Sequence, residues 1–394
     1  MRFFVSLKKI LLKLGLLCVS VIVTLIILEI GLRIFYPTIL YNQNLRSYNP
    51  ETGYTFTPNL NMDIDVGKGP HKLITNEYGY IGKTFSMEKP KDTWRVANFG
   101  DSYVEGIQEV DWDKNFVTQL EKYLQDNYTV ATSSSTLNFQ SLNFGVAGRG
   151  QIEEYWTYKY LASKANPDLN IVWFTIANDF SNNLVPPQPS GALESNQSGR
   201  IKYFLKKSAL ANFLFEYLKG NPFFLKIFNA LHLSNSGKLN AEILAGAGDG
   251  VDIDRKINYS IQPGLEKEKE RAYGITSELL QNFQKLSNEK KSKFLVVIIP
   301  EPMIIYNLYD DFFKVYPRAK IEDYDFTLAE KKLLEILKKN NIAYLDLTDE
   351  FTKYALGKSA YENCGNLFGD HFSACGHKIA AQIVGKYILE NYLR

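Results

Sequence analysis

Histidine is scarce in this chain of 394 residues, which contains only four. No two of them have metal-ligand spacing next to carboxylates or cysteines, so we expect no metal site and no other cofactor. An excess of charge is also missing, since 45 Lys and Arg balance 43 Asp and Glu, and four of the basic residues fall in the first 13 positions. A nucleic-acid-binding protein normally shows a basic footprint in this count, so nucleic acid is not an expected partner.

Long apolar runs are missing except near the N-terminus, where residues 14–28 (LGLLCVSVIVTLIIL) carry no charge. A helix from about Leu11 to Tyr36, ended by Pro37, is long enough to cross a bilayer, which needs roughly 20 residues. Basic residues precede the run, so the positive-inside rule places residue 1 in the cytoplasm and the rest of the chain outside. The alternative is a cleaved signal peptide. The run ends in LEIGLRIFYP without a small-x-small cleavage site, and we therefore favour an uncleaved membrane anchor.

The rest of the chain divides into a short connecting segment and a large domain. Residues 37–90 are rich in Tyr, Asn, Pro and Gly with poor periodicity, which predicts an extracytoplasmic stalk. From residue 91 to 394 the pattern of apolar residues alternates between strand and helix. This alternation predicts a three-layer α/β/α fold with a parallel sheet of about five strands. The strands are expected at 94–99, 136–143, 170–176, 294–300 and 342–347, and the helices at 115–125, 151–165, 264–290, 327–340 and from 376 onward.

One segment of the domain does not fit this alternation. Residues 180–263 hold a Pro/Ser/Gly/Asn stretch, an aromatic run that reads as two amphipathic helices broken at Pro222, and a Gly/Ala-rich turn. We interpret the segment as a helical insertion packed on the domain. A lid or a membrane-facing surface over an active site is the alternative interpretation.

Four short motifs stand at the predicted strand ends, where ligands bind in open parallel sheets. The first contains Ser102, which opens a helix directly after a strand. The second contains glycines up to Gly148, and the third contains Asn178, whose amide is able to donate a hydrogen bond into a cleft. The fourth places Asp370 beside His371 before the last helix, as a candidate base with an orienting acid. Each motif alone is also explained by an ordinary cap or turn.

Taken together, these segments resemble the SGNH (GDSL-type) hydrolase superfamily. The motifs VANFGDSYVEG, NFGVAGRGQ, FTIANDFSNN and GDHFSACGH occur in the order of that family, and TNEYGYIGKTF is similar to the segment that precedes the domain in membrane-anchored bacterial members. The similarity covers about residues 73–394, apart from the insertion. It implies a flavodoxin-like sheet and a serine enzyme that performs ester hydrolysis or acyl transfer.

The resemblance assigns roles to individual residues. Ser102 matches the nucleophile and His371 the catalytic base. The oxyanion hole is expected to be formed by the backbone N–H groups of Ser102 and Gly148 and by the side-chain amide of Asn178.

One residue departs from the family pattern. The family usually has an aspartate three residues before the histidine, and Phe368 stands at that position. Asp370 is our first choice for the acid, although adjacent side chains on an extended segment point apart. Asp346, Asp349 or a Ser–His dyad without an acid are the alternatives.

The three cysteines differ in setting. Cys18 lies in the apolar N-terminal run, whereas Cys364 and Cys375 bracket His371 on the expected external side, where disulfides persist. A disulfide between them would pin the catalytic loop, and two free buried thiols are the alternative.

The sequence thus predicts a membrane-anchored serine esterase whose catalytic domain lies outside the cytoplasm. Its expected partners are the membrane, through the N-terminal helix, and an acylated glycan or another ester of the cell envelope. Three alternatives stay open: an O-acyltransferase of the same fold, a lipase acting at the membrane surface, and a non-catalytic glycan-binding or assembly protein.

Overall fold

The computed structural model describes residues 2–35, 45–49, 51–65, 69–131, 137–184, 208–218 and 251–393. These residues form nine strands: β1 Arg46–Asn49, β2 Gly53–Phe56, β3 Asn61–Asp65, β4 Pro70–Ile74, β5 Thr93–Phe99, β6 Asn138–Asn143, β7 Leu169–Thr175, β8 Lys293–Ile299 and β9 Tyr344–Asp346. The α-helices are α1 Arg2–Phe35, α2 Ser102–Glu105, α3 Phe116–Ala131, α4 Gln151–Tyr160, α5 Asp179–Asn182, α6 Ala209–Leu218, α7 Ile253–Tyr259, α8 Glu266–Glu289, α9 Pro302–Ile305, α10 Tyr309–Val315, α11 Leu328–Lys339, α12 Thr348–Ala355 and α13 Ala374–Asn391.

The chain divides into two compact units. One consists of Met1–Arg46 and Pro189–Gly237, and the other of Ser47–Gln188 and Lys238–Arg394.

The first unit contains the helices α1 and α6. In α1, Gly15–Phe35 has a mean hydropathy of 2.6 and none of it is buried, so by length and composition it is a candidate membrane span or signal sequence. Near its end, the Glu29 carboxylate accepts hydrogen bonds from Arg33 Nε (2.8 Å) and from the backbone N–H groups of Ala209 and Leu210 (both 2.9 Å). Those N–H groups open helix α6, and such a group prefers a negative charge. Two charges that interrupt the apolar helix thus pair with each other, and one of them also caps a second helix.

The second unit is built on a parallel five-stranded sheet with the strand order β6-β5-β7-β8-β9. Numbered within this sheet, the order is 2-1-3-4-5, the flavodoxin-like arrangement. The middle strand β7 is buried at every residue, as expected for a parallel strand covered on both faces.

Helices cover both faces of this sheet. On one face the core contains Leu120 of α3 and Val384 of α13, and on the other it contains Tyr158 of α4, Phe283 of α8 and Leu333 of α11. The predicted three-layer α/β/α fold with a five-stranded parallel sheet is therefore confirmed. The predicted strands and helices all appear, with ends that differ by a few residues.

The segment predicted as a stalk contains more structure than expected. Its described residues form two small sheets, β1 with β2 and β3 with β4, the latter antiparallel from Asn61↔Ile74 to Asp65↔Pro70. Tyr80 is fully buried in the core of the large unit, and Leu73 is also fully buried. The larger compact unit includes residues from Ser47 onward. Because these strands have only four or five residues, their alternation of apolar and polar side chains is too short to recognise in the sequence.

Of the predicted insertion 180–263, the structure describes residues 180–184, 208–218 and 251–263. They include α6, which coincides with the first predicted amphipathic helix, and α7. The second predicted helix, after Pro222, lies outside the described residues.

Candidate active site

Ser102 lies at the carboxyl end of β5. It is the first residue of α2, and the Asp101 side chain caps this helix by accepting the N–H of Tyr103 at 2.9 Å. The strand-to-helix turn needs Gly100, because a Cβ there would lie 2.3 Å from Val104 Cγ2. The fold therefore presents the Ser102 hydroxyl at the edge of the sheet where ligands bind in such folds.

His371 reaches this hydroxyl from the other end of the chain. Its Nε2 lies 2.8 Å from Ser102 Oγ, and its ring packs against Tyr103 with ring centroids 4.9 Å apart. The histidine sits in a tight turn, in which the Gly369 N–H donates to the His371 carbonyl at 2.8 Å and Phe368 pairs with Phe372. An imidazole nitrogen at this distance is able to take the serine proton.

The loop after β6 is held against the helix that begins with Ser102. The Val146 N–H donates to the Gly100 carbonyl at 3.1 Å, and the Ala147 N–H donates to the Glu105 carboxylate at 2.8 Å. Gly148 follows with a φ of 77°, a conformation that favours glycine. The predicted oxyanion glycine thus belongs to a loop that is fixed directly beside the serine.

Asn178 follows β7, which is the neighbour of β5 in the sheet. Its side-chain Nδ2 donates to Asp101 Oδ2 at 3.1 Å. An amide nitrogen carries two hydrogens, and one of them is used in the bond to Asp101. The second hydrogen is the one that the predicted oxyanion hole would use. The residue next to the nucleophile therefore orients the third predicted oxyanion donor.

Behind this contact lies a group of buried acids that the sequence did not reveal. Asp101, Glu154 and Asp179 are each 0% exposed. Burial raises the pKa of Asp101 and raises the pKa values of Glu154 and Asp179 well above their ordinary range, and the charge of Asp179 adds to the effect on Glu154. The Asp179 carboxyl accepts hydrogen bonds from Gln151 Nε2 and from the Thr175 N–H, both at 2.8 Å. Burial thus makes protonation of these carboxyl groups easier than protonation of exposed ones.

The acid expected to accompany His371 is not at the usual family position. Phe368 stands there and is buried. Asp370 is exposed, and its backbone N–H donates to Glu109 Oε1 at 3.1 Å. Asp346 instead accepts the Thr348 N–H at 2.9 Å and raises the pKa of Glu330, which burial and this neighbour bring to about 7.

Glu109 is the second feature that sequence reasoning missed. Its Oε1 also accepts the His371 N–H at 3.4 Å, so the carboxylate binds two consecutive N–H groups of the histidine-bearing turn. Glu109 follows the motif GDSYVEG by three residues, and no local sequence pattern connects it with a turn more than 250 residues away.

A disulfide joins Cys364 to Cys375, with the two Cα atoms 5.4 Å apart. The Tyr354 hydroxyl lies 3.0 Å from the Cys375 sulfur and accepts the Cys364 N–H at 2.6 Å. The bridge ties the segment before His371 to the first turn of α13.

The other histidines have separate surroundings. His377 is buried, accepts the Phe116 N–H at 3.2 Å on Nδ1, and has its pKa lowered to about 3 by burial and by the nearby His371. His71 lies 4.0 Å from Asp111, and His232 is outside the described residues. Within the described part of the chain, no three His, Cys, Asp or Glu side chains are grouped to hold a metal ion.

Comparisons with known proteins show a family match over part of the chain. The family GDSL-like Lipase/Acylhydrolase matches residues 96–220, which include Ser102, Gly148 and Asn178. No curated protein matches the chain significantly.

Among solved structures, the chain is similar to the acetyl xylan esterase AlAXEase, with 13% identity, coverage of 75% of this chain and 99% of that one, and a TM-score of 0.37. Axe2, an acetylxylan esterase from Geobacillus stearothermophilus, has 12% identity, covers 75% and 94%, and gives a TM-score of 0.36. LAE5, an α/β hydrolase from the metagenome of Lake Arreo, Spain, has 11% identity, covers 77% and 98%, and gives 0.38. The match of residues 96–220 to the GDSL-like lipase/acylhydrolase family agrees with the resemblance to the SGNH hydrolases and with the prediction of an ester hydrolase.

Proposed function

We propose that this protein is a membrane-anchored serine esterase that removes O-acyl groups from a glycan or another envelope polymer outside the cytoplasm. The observation that carries the catalytic part is the distance of 2.8 Å between Ser102 Oγ and His371 Nε2. A nucleophile and a base at hydrogen-bond distance, at the carboxyl end of a central parallel strand, are the core of such a catalyst.

In the first half of the reaction, His371 takes the Ser102 proton while Oγ attacks the ester carbonyl. The tetrahedral intermediate collapses to an acyl-serine, and His371 gives the proton to the departing alcohol. In the second half, His371 takes a proton from water, and the resulting hydroxide attacks the acyl-serine. The carboxylic acid leaves, and the proton returns to Ser102.

The negative charge that develops on the carbonyl oxygen needs donors that are already in position. The backbone N–H groups of Ser102 and Gly148 and the second amide hydrogen of Asn178 would supply them. The contact of Asn178 with Asp101 supports this role, because it restricts the amide before substrate arrives.

Two features support the location. Helix α1 has the length and apolar composition of a membrane span, and basic residues precede its apolar run. The disulfide between Cys364 and Cys375 supports an oxidising compartment. An anchored domain on that side has envelope polymers within reach, and this reach is the argument for an acylated polymer as substrate.

The test is labelling of the full chain in detergent with a fluorophosphonate probe, which reacts with activated serines. We expect the wild type to be labelled and to hydrolyse a p-nitrophenyl ester, and Ser102→Ala to lose both. Ser181→Ala is the matched control, because the Ser181 hydroxyl donates to the Asn178 carbonyl at 2.7 Å rather than to a histidine. Undiminished hydrolysis by a folded Ser102→Ala variant would sink the assignment.

The substrate class is tested separately. We expect acetate release from an O-acetylated polysaccharide to be faster than release of long fatty acids from esters at matched concentration. A preference for long chains would favour the lipase alternative, and acyl transfer to an added sugar in place of hydrolysis would favour the transferase.

A further inference from the structure

The position where the family carries the histidine's acid has an apolar role in this chain. Phe368 is 8% exposed, and its ring lies 5.2 Å from that of Phe372 and 5.7 Å from that of Phe351. Its side chain therefore belongs to the core and brings no negative charge to His371. A different group has to fix the turn and balance the charge of the imidazolium.

Glu109 reaches the turn from the segment that follows α2. Its neighbours Ile107 and Val110 are buried at 2% and 3% exposure, so the backbone on both sides of Glu109 is fixed by packing. Its Oε1 accepts the N–H groups of Asp370 and His371 at 3.1 and 3.4 Å. One carboxylate oxygen thus binds the backbone on which the base is mounted.

Gly369 makes this approach possible. A Cβ at this residue would lie 2.9 Å from Glu109 Oε1, which is closer than real Cβ contacts allow. An alanine at this residue would therefore push the carboxylate, the flexible end of the Glu109 side chain, out of its present position.

We propose that Glu109 is the positioning residue of His371 and takes the part that an aspartate plays in most members of the family. This inference rests on the proposed function of Ser102 and His371. Glu109 holds the backbone of the turn so that Nε2 stays on Ser102, and its charge favours the imidazolium that forms when the serine proton is taken. The proton then passes to the leaving alcohol, and Glu109 keeps its own protonation state throughout.

Other ionisable groups also act on His371. Among the described residues they include Asp101 before α2, Tyr103 within it and His377 on α13, and Asp370 is adjacent in the chain. A change at Glu109 leaves these groups in place, so a difference from the wild type in the pH profile reports the Glu109 charge.

The experiment compares the full chain in detergent with its Glu109→Gln variant, using a p-nitrophenyl ester from pH 5 to 9. Glutamine keeps the size and the oxygen that accepts the two N–H groups, but it removes the charge. We expect kcat to fall about 10- to 100-fold with KM within twofold. The acid limb of kcat/KM should move down by about 0.5 to 1 pH unit, because the histidine loses a negative neighbour that stabilised its protonated form. Glu109→Asp keeps the negative charge, so it should recover part of kcat and return the acid limb of kcat/KM to its wild-type pH.

Two further variants complete the test. Gly369→Ala keeps the charge of Glu109 but displaces its flexible carboxylate from the turn, so it should lower kcat. This variant tests the proposal even if Glu109→Gln fails to fold. Asp113→Asn removes an exposed carboxylate four residues further on and should leave kcat within twofold.

If folded Glu109→Gln has the same acid limb of kcat/KM as the wild type, the proposal is overturned. It is also overturned if that limb moves in Asp370→Asn but not in Glu109→Gln. In both cases, fluorophosphonate labelling of wild-type Ser102 would show that the proposed function itself still holds. Absence of that labelling would instead remove the proposed function.

Discussion

A single contact restricts the side chain of Asn178, the proposed oxyanion donor. Its side chain bonds Asp101, whose other oxygen accepts the Tyr103 N–H at 2.9 Å and the Thr175 hydroxyl at 3.1 Å. The amide is therefore tied to the turn that carries Ser102 and to the end of β7. Because Asp101 is held by both α2 and β7, the amide loses little freedom when the oxyanion forms.

We expect Asn178→Ala to lower kcat by about 10²- to 10³-fold, with KM little changed, since the lost donor acts on the developing charge. Steady-state kinetics of the purified chain check this. Asn182→Ala is the matched control, because the Asn182 amide donates to the Arg149 carbonyl at 3.3 Å, and its kcat should stay within twofold. Equal activity of Asn178→Ala and wild type would remove Asn178 from the oxyanion hole.

The candidate site residues that the sequence indicates are those in short motifs at strand ends. Ser102 and His371 were proposed as partners from their motifs, and the structure brings them together. Glu109 and Glu154 lie outside these motifs. Their surroundings are formed by contacts between segments that are distant in the sequence. A spacing pattern carries no information about such contacts.

At the scale of elements, the disulfide links the loop before His371 to the start of helix α13. Cys364 lies in the loop before the histidine turn, and Cys375 is the second residue of α13. Ser373 caps the same helix by accepting the Gly376 N–H at 3.1 Å. The start of α13 is thus fixed twice, once by a covalent bond and once by a cap.

Replacing both cysteines by serine should lower the free energy of unfolding by about 2–3 kcal/mol, the chain-entropy value for so short a loop. Thermal unfolding of the variant against the wild type, both without reductant, measures it. Cys18→Ser is the control, because Cys18 lies exposed on α1 outside the bridge. Identical unfolding of the double variant and the wild type would contradict a stabilising role.

Element type was predictable where the apolar pattern is long. The helix predicted at 264–290 is Glu266–Glu289, and the strand predicted at 294–300 is Lys293–Ile299. Both are long enough for their periodicity to exceed chance. The strands between 46 and 74 are too short for this, so their place beside the core was not predictable.

At the scale of the whole molecule, buried ionisable groups change the folding stability in opposite directions as the pH changes. His377 has its folded pKa lowered to about 3, below an unfolded value near 6.5. Between these values the unfolded chain binds a proton that the folded chain refuses, so this histidine lowers stability as the pH falls. Glu154 and Asp179 have raised pKa values, so they lower stability as the pH rises above about 4.

His377→Gln should therefore flatten the acid side of the stability curve. In the wild type, protonation of this histidine lowers the free energy of unfolding by about 1.4 kcal/mol per pH unit between pH 6 and 3, and the variant lacks this loss. Glutamine keeps an acceptor for the Phe116 N–H. Unfolding of the variant and the wild type in detergent between pH 4 and 7 checks it. Parallel curves would mean that protonation of His377 does not limit acid stability.

The hydrogen bonds of Glu29 bear on the maturation of the chain. If a signal peptidase removed the first 36 residues, the carboxylate that caps α6 would leave with the discarded leader. Ala209 and Leu210 would then keep two N–H groups whose partner exists only in the precursor. A side chain bonded to the folded part of a protein is of use only if it stays attached. A shortened protein that starts after residue 36 would therefore lack the side chain that caps α6.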